Sequence, residues 1–206
     1  MQQVRRRLAV DRRSAADLEG RQEAAVLGLT MHTALLLEMA AEALADRIAF
    51  GGLEGGLSFG ELFARARGAA GWLQAMESET VAFVGVNGPA LPTALFASAL
   101  MEKPFTPMNY RLSDTELARL VARTAPSVVI VDDDMASRLP DIEGVTRVTT
   151  STFVSACKAP ENQDAAPFPT EPDVAIRLFT SGTTGEPKVA LLRHRHLAAY
   201  VINAVD

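Results

Sequence analysis

The hydrophobic positions of the chain fall into blocks that predict strands and helices in alternation. Three apolar runs, at residues 80–86, 127–131 and 174–179, have the continuous character of strands in a parallel sheet that is covered on both faces. Between the first two runs, apolar residues recur at the three- and four-residue spacing of a helix face. This alternation predicts an α/β fold: a mostly parallel sheet with right-handed crossovers and helices on both faces.

Local sequence signals mark where several of these helices begin. Ser58 with Glu61, and Ser113 with Glu116, have the spacing of a capping box. Thr30 is the expected cap of an earlier helix. The apolar face of that helix is predicted to comprise Leu35, Leu36, Met39, Ala40 and Ala43.

The pattern divides the chain into an arm and one larger unit. Residues 1–28 are charged and rich in alanine, and they predict a surface helix or a mobile arm. Residues 29–206 carry the alternating strands and helices. The last helix is expected from His194, and its apolar spacing runs to Asp206 without a stop signal. We therefore expect the sequence to be the truncated N-terminal portion of a larger domain.

Composition and charge narrow the functional classes. The 206 residues have a formal net charge of −5, which argues against a general nucleic-acid-binding surface. Cys157 is the only cysteine, so an intrachain disulfide is excluded and a buried apolar role is expected. The sequence has neither an apolar run of transmembrane length nor a signal-peptide core, so we expect a cytoplasmic protein.

The stretch after the third apolar run carries the strongest candidate chemistry. It comprises Thr180, Ser181, Gly182, Thr183, Thr184, Gly185, Glu186, Pro187 and Lys188. Glycines allow close approach of a ligand, hydroxyl and backbone N–H groups donate hydrogen bonds, and the lysine adds a cation. This combination suits a polyphosphate, although the spacing differs from that of a Walker A loop. On composition alone, an ordinary turn with a solvated lysine remains the alternative.

Two further clusters raise the question of a metal site. Residues 132–134 are three consecutive aspartates after a predicted strand, where a solvated turn that caps the next helix is the simpler interpretation. His194 and His196 flank an arginine at a helix start, where capping or packing is the usual role. We therefore expect no metal site in the chain.

The stretch from Thr180 to Lys188 resembles the signature loop of the adenylate-forming superfamily, which includes acyl- and aryl-CoA synthetases and peptide-synthetase adenylation domains. The match extends through Lys188, and Val189 then replaces the glycine that is usual there. Residues 57–62 and 107–112 are similar to two upstream family segments. Asn109, within the second of these segments, favours the acyl-CoA synthetase type over the peptide-synthetase type.

The resemblance implies ATP-dependent activation of a fatty or aryl carboxylic acid, with Mg²⁺, and transfer of the acyl group to CoA. The implied phosphate-binding residues are Thr180, Ser181, Gly182, Thr183, Thr184, Gly185 and Lys188. His194 matches a common family histidine and is assigned a supporting role. No catalytic acid or base is assignable. The family's further nucleotide-contacting motifs and catalytic lysine have no matching positions here, so the chain alone is expected to be inactive. A non-catalytic nucleotide-binding module, a peptide-synthetase-type fragment or a purely structural fragment remain alternatives, and a homodimer is left open.

Overall fold

The computed structural model describes residues 32–157, 174–180 and 187–204. The expected arm at residues 1–28 and its neighbour Thr30 lie outside these ranges. The described helices are α1 (Thr33–Ala43), α2 (Phe59–Gln74), α3 (Ala90–Leu100), α4 (Asp114–Ala122), α5 (Thr150–Ala156) and α6 (His194–Asn203), with a 3₁₀ helix at Asp133–Arg138. The strands are β1 (Ile48–Phe50), β2 (Leu57–Ser58), β3 (Thr80–Val84), β4 (Phe105–Met108), β5 (Ser127–Val131), β6 (Val145–Thr149), β7 (Val174–Thr180) and β8 (Lys188–Arg193).

Six of these strands form one sheet in the order β6-β5-β3-β4-β7-β8. All pairings from β6 to β7 are parallel, which confirms the predicted mostly parallel α/β sheet. β8 departs from the pattern, because it runs antiparallel to β7 as the second strand of a hairpin. The short β1 and β2 pair with each other in a separate antiparallel unit.

Helices cover both faces of the sheet, as the apolar runs predicted. Successive side chains of a strand point to opposite faces. Val81 and Phe83 of β3 therefore pack with α2, α3 and α5, whereas Ala82 and Val84 pack with α4 and the segment after the 3₁₀ helix. The core thus consists of two layers, one on each side of the central strands.

The predicted helix starts are confirmed at two positions and wrong at a third. Ser58 and Ser113 both form complete capping boxes with the glutamate three residues later. The cap of α1 is His32 rather than Thr30, because the His32 ring accepts the hydrogen bond of the Ala34 N–H. This start turns Ala34 and Leu37 inward. Of the apolar face predicted for α1, Met39 and Ala43 are exposed and the other members are only partly buried.

The hairpin of β7 and β8 differs from the expectation of a buried strand. Within β7 only Ala175 is buried, and no residue of β8 is buried. Among the described residues, no further strand pairs with the outer edge of β8. β7 has a strand on each side, β4 and β8, but the two core layers are built on β3, β4, β5 and β6. The apolar character of residues 174–179 therefore did not translate into burial.

No helix of the described residues is long and apolar enough to cross a membrane.

Candidate nucleotide site at the β7–β8 hairpin

The hairpin places the two ends of the candidate phosphate loop opposite each other. Thr180, the last residue of β7, pairs with Lys188, the first residue of β8. Five of the predicted phosphate-binding residues, Ser181, Gly182, Thr183, Thr184 and Gly185, lie outside the described residues. The Thr180 hydroxyl donates to the Lys188 carbonyl oxygen at 3.3 Å. This bond closes the base of the loop, so the Thr180 proton would have to leave it to bind a phosphate oxygen.

Lys188 carries the cation of the candidate site. Its side chain is exposed at the carboxyl end of β7. Within the described ranges, no carboxylate forms an ion pair with the Lys188 ammonium. An exposed ammonium beside a strand end can approach an anionic ligand without first losing a protein partner.

Val189 stands where the resembling loops usually have a glycine, and the structure accommodates it without strain. Val189 pairs with Phe179 in the regular register of the hairpin. Among the described residues, the only non-glycine residue with positive φ is Glu102, so Val189 does not require the conformational freedom of a glycine. A β-branched residue is favourable in such a strand position.

Arg123 contacts the base of the loop, by which we mean Phe179 and Thr180 on one side and Pro187 and Lys188 on the other. It is the residue that ends α4. Its guanidinium Nη1 donates to the Pro187 carbonyl oxygen at 3.0 Å, and its Cζ lies 5.1 Å from the centre of the Phe179 ring. One side chain therefore connects the last residues before the loop with the first residue after it. No sequence signal indicated this contact, because Arg123 and Pro187 are 64 positions apart.

His194 anchors the far end of β8 through the first turn of α6. The His194 ring is buried and stacks on His32, with ring centroids 3.5 Å apart and an interplanar angle of 26°. The Thr33 hydroxyl lies within hydrogen-bond distance of His194 Nδ1, at 2.7 Å. Burial lowers the pKa of His32 to about 4. The packing role considered for His194 is confirmed, whereas its supporting role in binding stays a prediction.

The ends of the neighbouring strands are closely packed. Asp132, directly after β5, accepts a hydrogen bond from the Val86 N–H through Oδ2 at 2.7 Å. A Cβ added at Gly85 would lie 2.5 Å from the Asp132 carboxyl carbon, so a side chain at this position would displace the carboxylate. The chain leaves β3 towards α3 and leaves β4 towards α4, on opposite faces. Ligands of open α/β sheets bind outside the carboxyl ends of strands at such a divergence.

The segment after β4 is held as a structural turn, as its sequence suggested. Asn109 Oδ1 accepts a hydrogen bond from the Arg111 N–H at 3.1 Å. Arg138 then donates to the carbonyl oxygens of Tyr110 and Leu112 and forms an ion pair with Asp114 at 2.7 Å. These contacts fix the backbone, and each of the three guanidinium nitrogens of Arg138 takes part in one of them.

The clusters considered as metal sites have structural roles instead. In the described part of the chain, no group of three or more His, Cys, Asp or Glu side chains is arranged to hold a metal ion. Asp133 accepts hydrogen bonds from Ser151 and Thr150 at the start of α5, which lowers the pKa of its carboxyl to about 2. His196 accepts the Arg193 N–H at 3.2 Å, as a cap of α6.

Cys157 also has no catalytic character. It is buried, and its thiol donates to the Phe153 carbonyl oxygen at 3.0 Å. Burial raises the pKa of this thiol to about 12, so the reactive thiolate is disfavoured. The expected role as a small buried apolar residue is confirmed.

The chain is similar to several acid–CoA ligases. It is 31% identical over 138 residues to the indoleacetate–CoA ligase of Aromatoleum aromaticum, covering 61% of this chain and 27% of that protein. It is 30% identical over 161 residues to 4-coumarate–CoA ligase 5 of Oryza sativa subsp. japonica, covering 73% of this chain and 30% of that protein. The matches thus span less than a third of these relatives' length.

The fold is shared with solved structures. The N-terminal subdomain of Klebsiella oxytoca NpsA in complex with 3-hydroxybenzoyl-AMSN superposes with a TM-score of 0.70 at 20% identity, over 84% of this chain and 43% of that one. VinN in complex with 3-methylaspartate gives a TM-score of 0.69 at 21% identity, over 86% of this chain and 52% of that one. The family model of the AMP-binding enzymes matches residues 37–206, and the chain therefore belongs to the AMP-binding enzyme family.

Proposed function

We propose that the chain is the phosphate-binding part of an ATP-dependent acid–thiol ligase. In the full-length enzyme, the carboxylate of a fatty or aryl acid attacks the α-phosphorus of ATP, forming an acyl-adenylate and releasing pyrophosphate. A thiol then attacks the acyl carbonyl carbon, forming a thioester and releasing AMP. The observation that carries this proposal is the hairpin of a family member, which presents Lys188 at the carboxyl end of β7.

The residues of the loop fit a triphosphate by their chemistry. Lys188 supplies an exposed cation, and the loop that it closes contains the hydroxyls of Ser181, Thr183 and Thr184 and the glycines Gly182 and Gly185. We assign to this set the β- and γ-phosphates, which depart together. Lys188 then neutralises charge that develops on the leaving pyrophosphate, an electrostatic stabilisation of the transition state.

Mg²⁺ would accompany ATP and neutralise part of its charge. We assign it no ligand in this chain. No general acid or base is assigned either, because positioning and electrostatics can supply most of the catalysis of a phosphorus-centred displacement. The rest of the nucleotide and the acid would be bound by sequence that the relatives have and this chain does not match.

The reaction class is tested by acid-dependent exchange of pyrophosphate into ATP. We expect the full-length enzyme to catalyse this exchange with an aryl or fatty acid, and the 206-residue chain alone to catalyse none. Robust exchange by the chain alone would contradict the assignment of a partial site. Nucleotide binding without exchange by the full-length protein would favour the alternative, a non-catalytic nucleotide-binding module.

The acceptor is proposed to be CoA. This choice is supported by the CoA ligases among the relatives and by the Asn109 segment that resembles acyl-CoA synthetases. Thioester formation with free CoA, measured against an acyl-carrier protein, tests it, and a preference for the carrier would contradict it. We further propose a cytoplasmic location, and a homodimer is one assembly that mass measurement in solution would test.

The close approach of phosphate to the loop is tested at Gly182. Gly182→Val is expected to weaken ATP binding strongly, because a branched side chain would occupy the space of the ligand. Gly88→Val is the matched control: a Cβ at this partly buried turn glycine would meet only the Val86 carbonyl oxygen within 4 Å, at 3.9 Å. Normal ATP affinity in the Gly182→Val enzyme would contradict the assignment of the loop.

A further inference from the structure

Arg123 contacts one residue on each side of the candidate loop: Phe179 before it and Pro187 after it. The hairpin is an exposed edge of the sheet: Val189 is 38% and Leu191 is 49% exposed. Core burial therefore contributes little to holding β8 against β7. Apart from the strand pairing itself, the loop base is held by the Thr180–Lys188 hydrogen bond and by Arg123.

The helix that carries Arg123 is itself firmly fixed. Leu117 and Val121 of α4 are fully buried against the central strands, and Leu120 is nearly so. Arg123 ends this helix, and its side chain extends from the rigid layer to the hairpin. The contact therefore links the base of the loop to the buried core layer between α4 and the central strands.

An arginine has the chemistry that this position needs. The guanidinium lies over the Phe179 ring as a cation–π contact, while its Nη1 donates to the Pro187 carbonyl oxygen. A lysine ammonium is a point charge and cannot hold both partners in one fixed geometry. One contact is to β7 and the other is to the residue directly before β8, so together they resist separation of the two strands next to the loop.

We propose that Arg123 is a positioning residue that fixes the base of the loop and thereby places Lys188 for the phosphates of ATP. It does not itself bind the nucleotide: its two contacts are to the hairpin. This inference rests on the proposed function, because it concerns the same phosphate site. It predicts that losing Arg123 loosens the hairpin first and weakens ATP binding as a consequence.

The first test is hydrogen–deuterium exchange of the hairpin amides in the 206-residue chain. Arg123→Ala and Arg123→Lys are both expected to accelerate exchange at Phe179 and Val189 about fivefold to tenfold, from the loss of one hydrogen bond and one stacking contact. Arg67→Ala is the matched control, because Arg67 lies over Phe63 at 5.8 Å on the opposite side of the sheet. Wild-type exchange in both Arg123 variants would overturn the proposal.

The second test uses pyrophosphate exchange by the full-length enzyme. Arg123→Ala is expected to raise the KM for ATP about tenfold and also to lower kcat, because Lys188 acts on the leaving pyrophosphate, with Arg123→Lys close to Arg123→Ala and Arg67→Ala at the wild-type value. A loosened hairpin with an unchanged KM for ATP would overturn the positioning role. If the proposed function itself is wrong, the wild-type enzyme shows no acid-dependent exchange of pyrophosphate into ATP. Hydrogen–deuterium exchange of the amides then still reports on the hairpin.

Discussion

The central strands and the hairpin have similar apolar sequences, yet they are held in different ways. Every residue of β3 and β5 is buried, whereas β7 buries only Ala175 and β8 buries none. β3 and β5 have a neighbour on each side and helices on both faces. The hairpin instead depends on strand pairing, on Arg123 at the loop base and on His194 at the far end. The buried strands β3 and β5 are therefore held by packing on all sides, whereas the hairpin is held by a few individual contacts.

The largest effect is expected from a matched pair of truncations in the two regions. Ile130→Ala in β5 removes a fully buried side chain and should lower the free energy of unfolding by about 2–5 kcal/mol. Leu191→Ala in β8, where the side chain is 49% exposed, should lower it by less than about 1 kcal/mol. Urea unfolding of the chain measures both, and equal losses would remove the distinction between core and hairpin.

A pH-dependent effect is expected at the His32–His194 stack. Because burial lowers the pKa of His32 to about 4 from 6.5, the unfolded chain binds a proton between these pH values and the folded chain does not. Stability is therefore lost as the pH falls from 6.5 to 4, by up to about 1.4 kcal/mol per pH unit.

His32→Gln should flatten this part of the profile. His196→Gln is the control, because His196 is exposed and lies two residues after His194 on the same helix, and it should leave the slope in place. Thermal unfolding at a series of pH values provides the measurement. An unchanged slope in the His32→Gln chain would show that the stack is not the acid-sensitive element.

A smaller effect is expected where β3 and β5 end. Gly85→Ala would bring a methyl group within 2.5 Å of the Asp132 carboxyl carbon and displace the acceptor of the Val86 N–H. We expect a loss of about 1–3 kcal/mol. Gly88→Ala, where the added carbon meets no atom closer than 3.9 Å, is the matched control. Equal stability of the two variants in urea unfolding would contradict the close approach.

The smallest effect is expected at the start of α4. Ser113→Ala removes the capping hydrogen bond to the Glu116 N–H and should cost about 1 kcal/mol. It should leave amide exchange at the hairpin unchanged, because Arg123 is at the other end of this helix. Accelerated exchange at Val189 in this variant would mean that the hairpin depends on α4 as a whole rather than on Arg123.

Local chemistry made much of the fold predictable. The capping boxes at Ser58 and Ser113 and the apolar runs of β3 and β5 depend on residues that are close in sequence, and the structure confirms them. The interpretation of β7 as buried is wrong for a reason that no local pattern contains: burial depends on which part of the sheet the helices cover, and the core layers lie on β3 to β6. The apolar pattern did not predict the antiparallel strand β8, because its apolar residues follow the candidate loop directly and do not stand out as a separate run.

The candidate site, too, could be predicted only where its signal is local in sequence. The loop and Lys188 could be proposed from the sequence because the order of their residues is itself the signal. Arg123 and the His32–His194 stack could not, since their partners are 64 and 161–162 positions away, respectively. Contacts of such separation follow from strand order and helix packing, which the apolar pattern alone does not specify.

The central claim, that the hairpin holds the phosphates of ATP, is tested most directly at Lys188. Lys188→Ala in the full-length enzyme should reduce acid-dependent pyrophosphate exchange about 10- to 100-fold, the range expected from the loss of a charge-assisted contact. Lys188 is exposed and lies at the end of an edge strand, so the variant should fold normally. A wild-type exchange rate in the folded Lys188→Ala enzyme would contradict the assignment of this hairpin as the phosphate site.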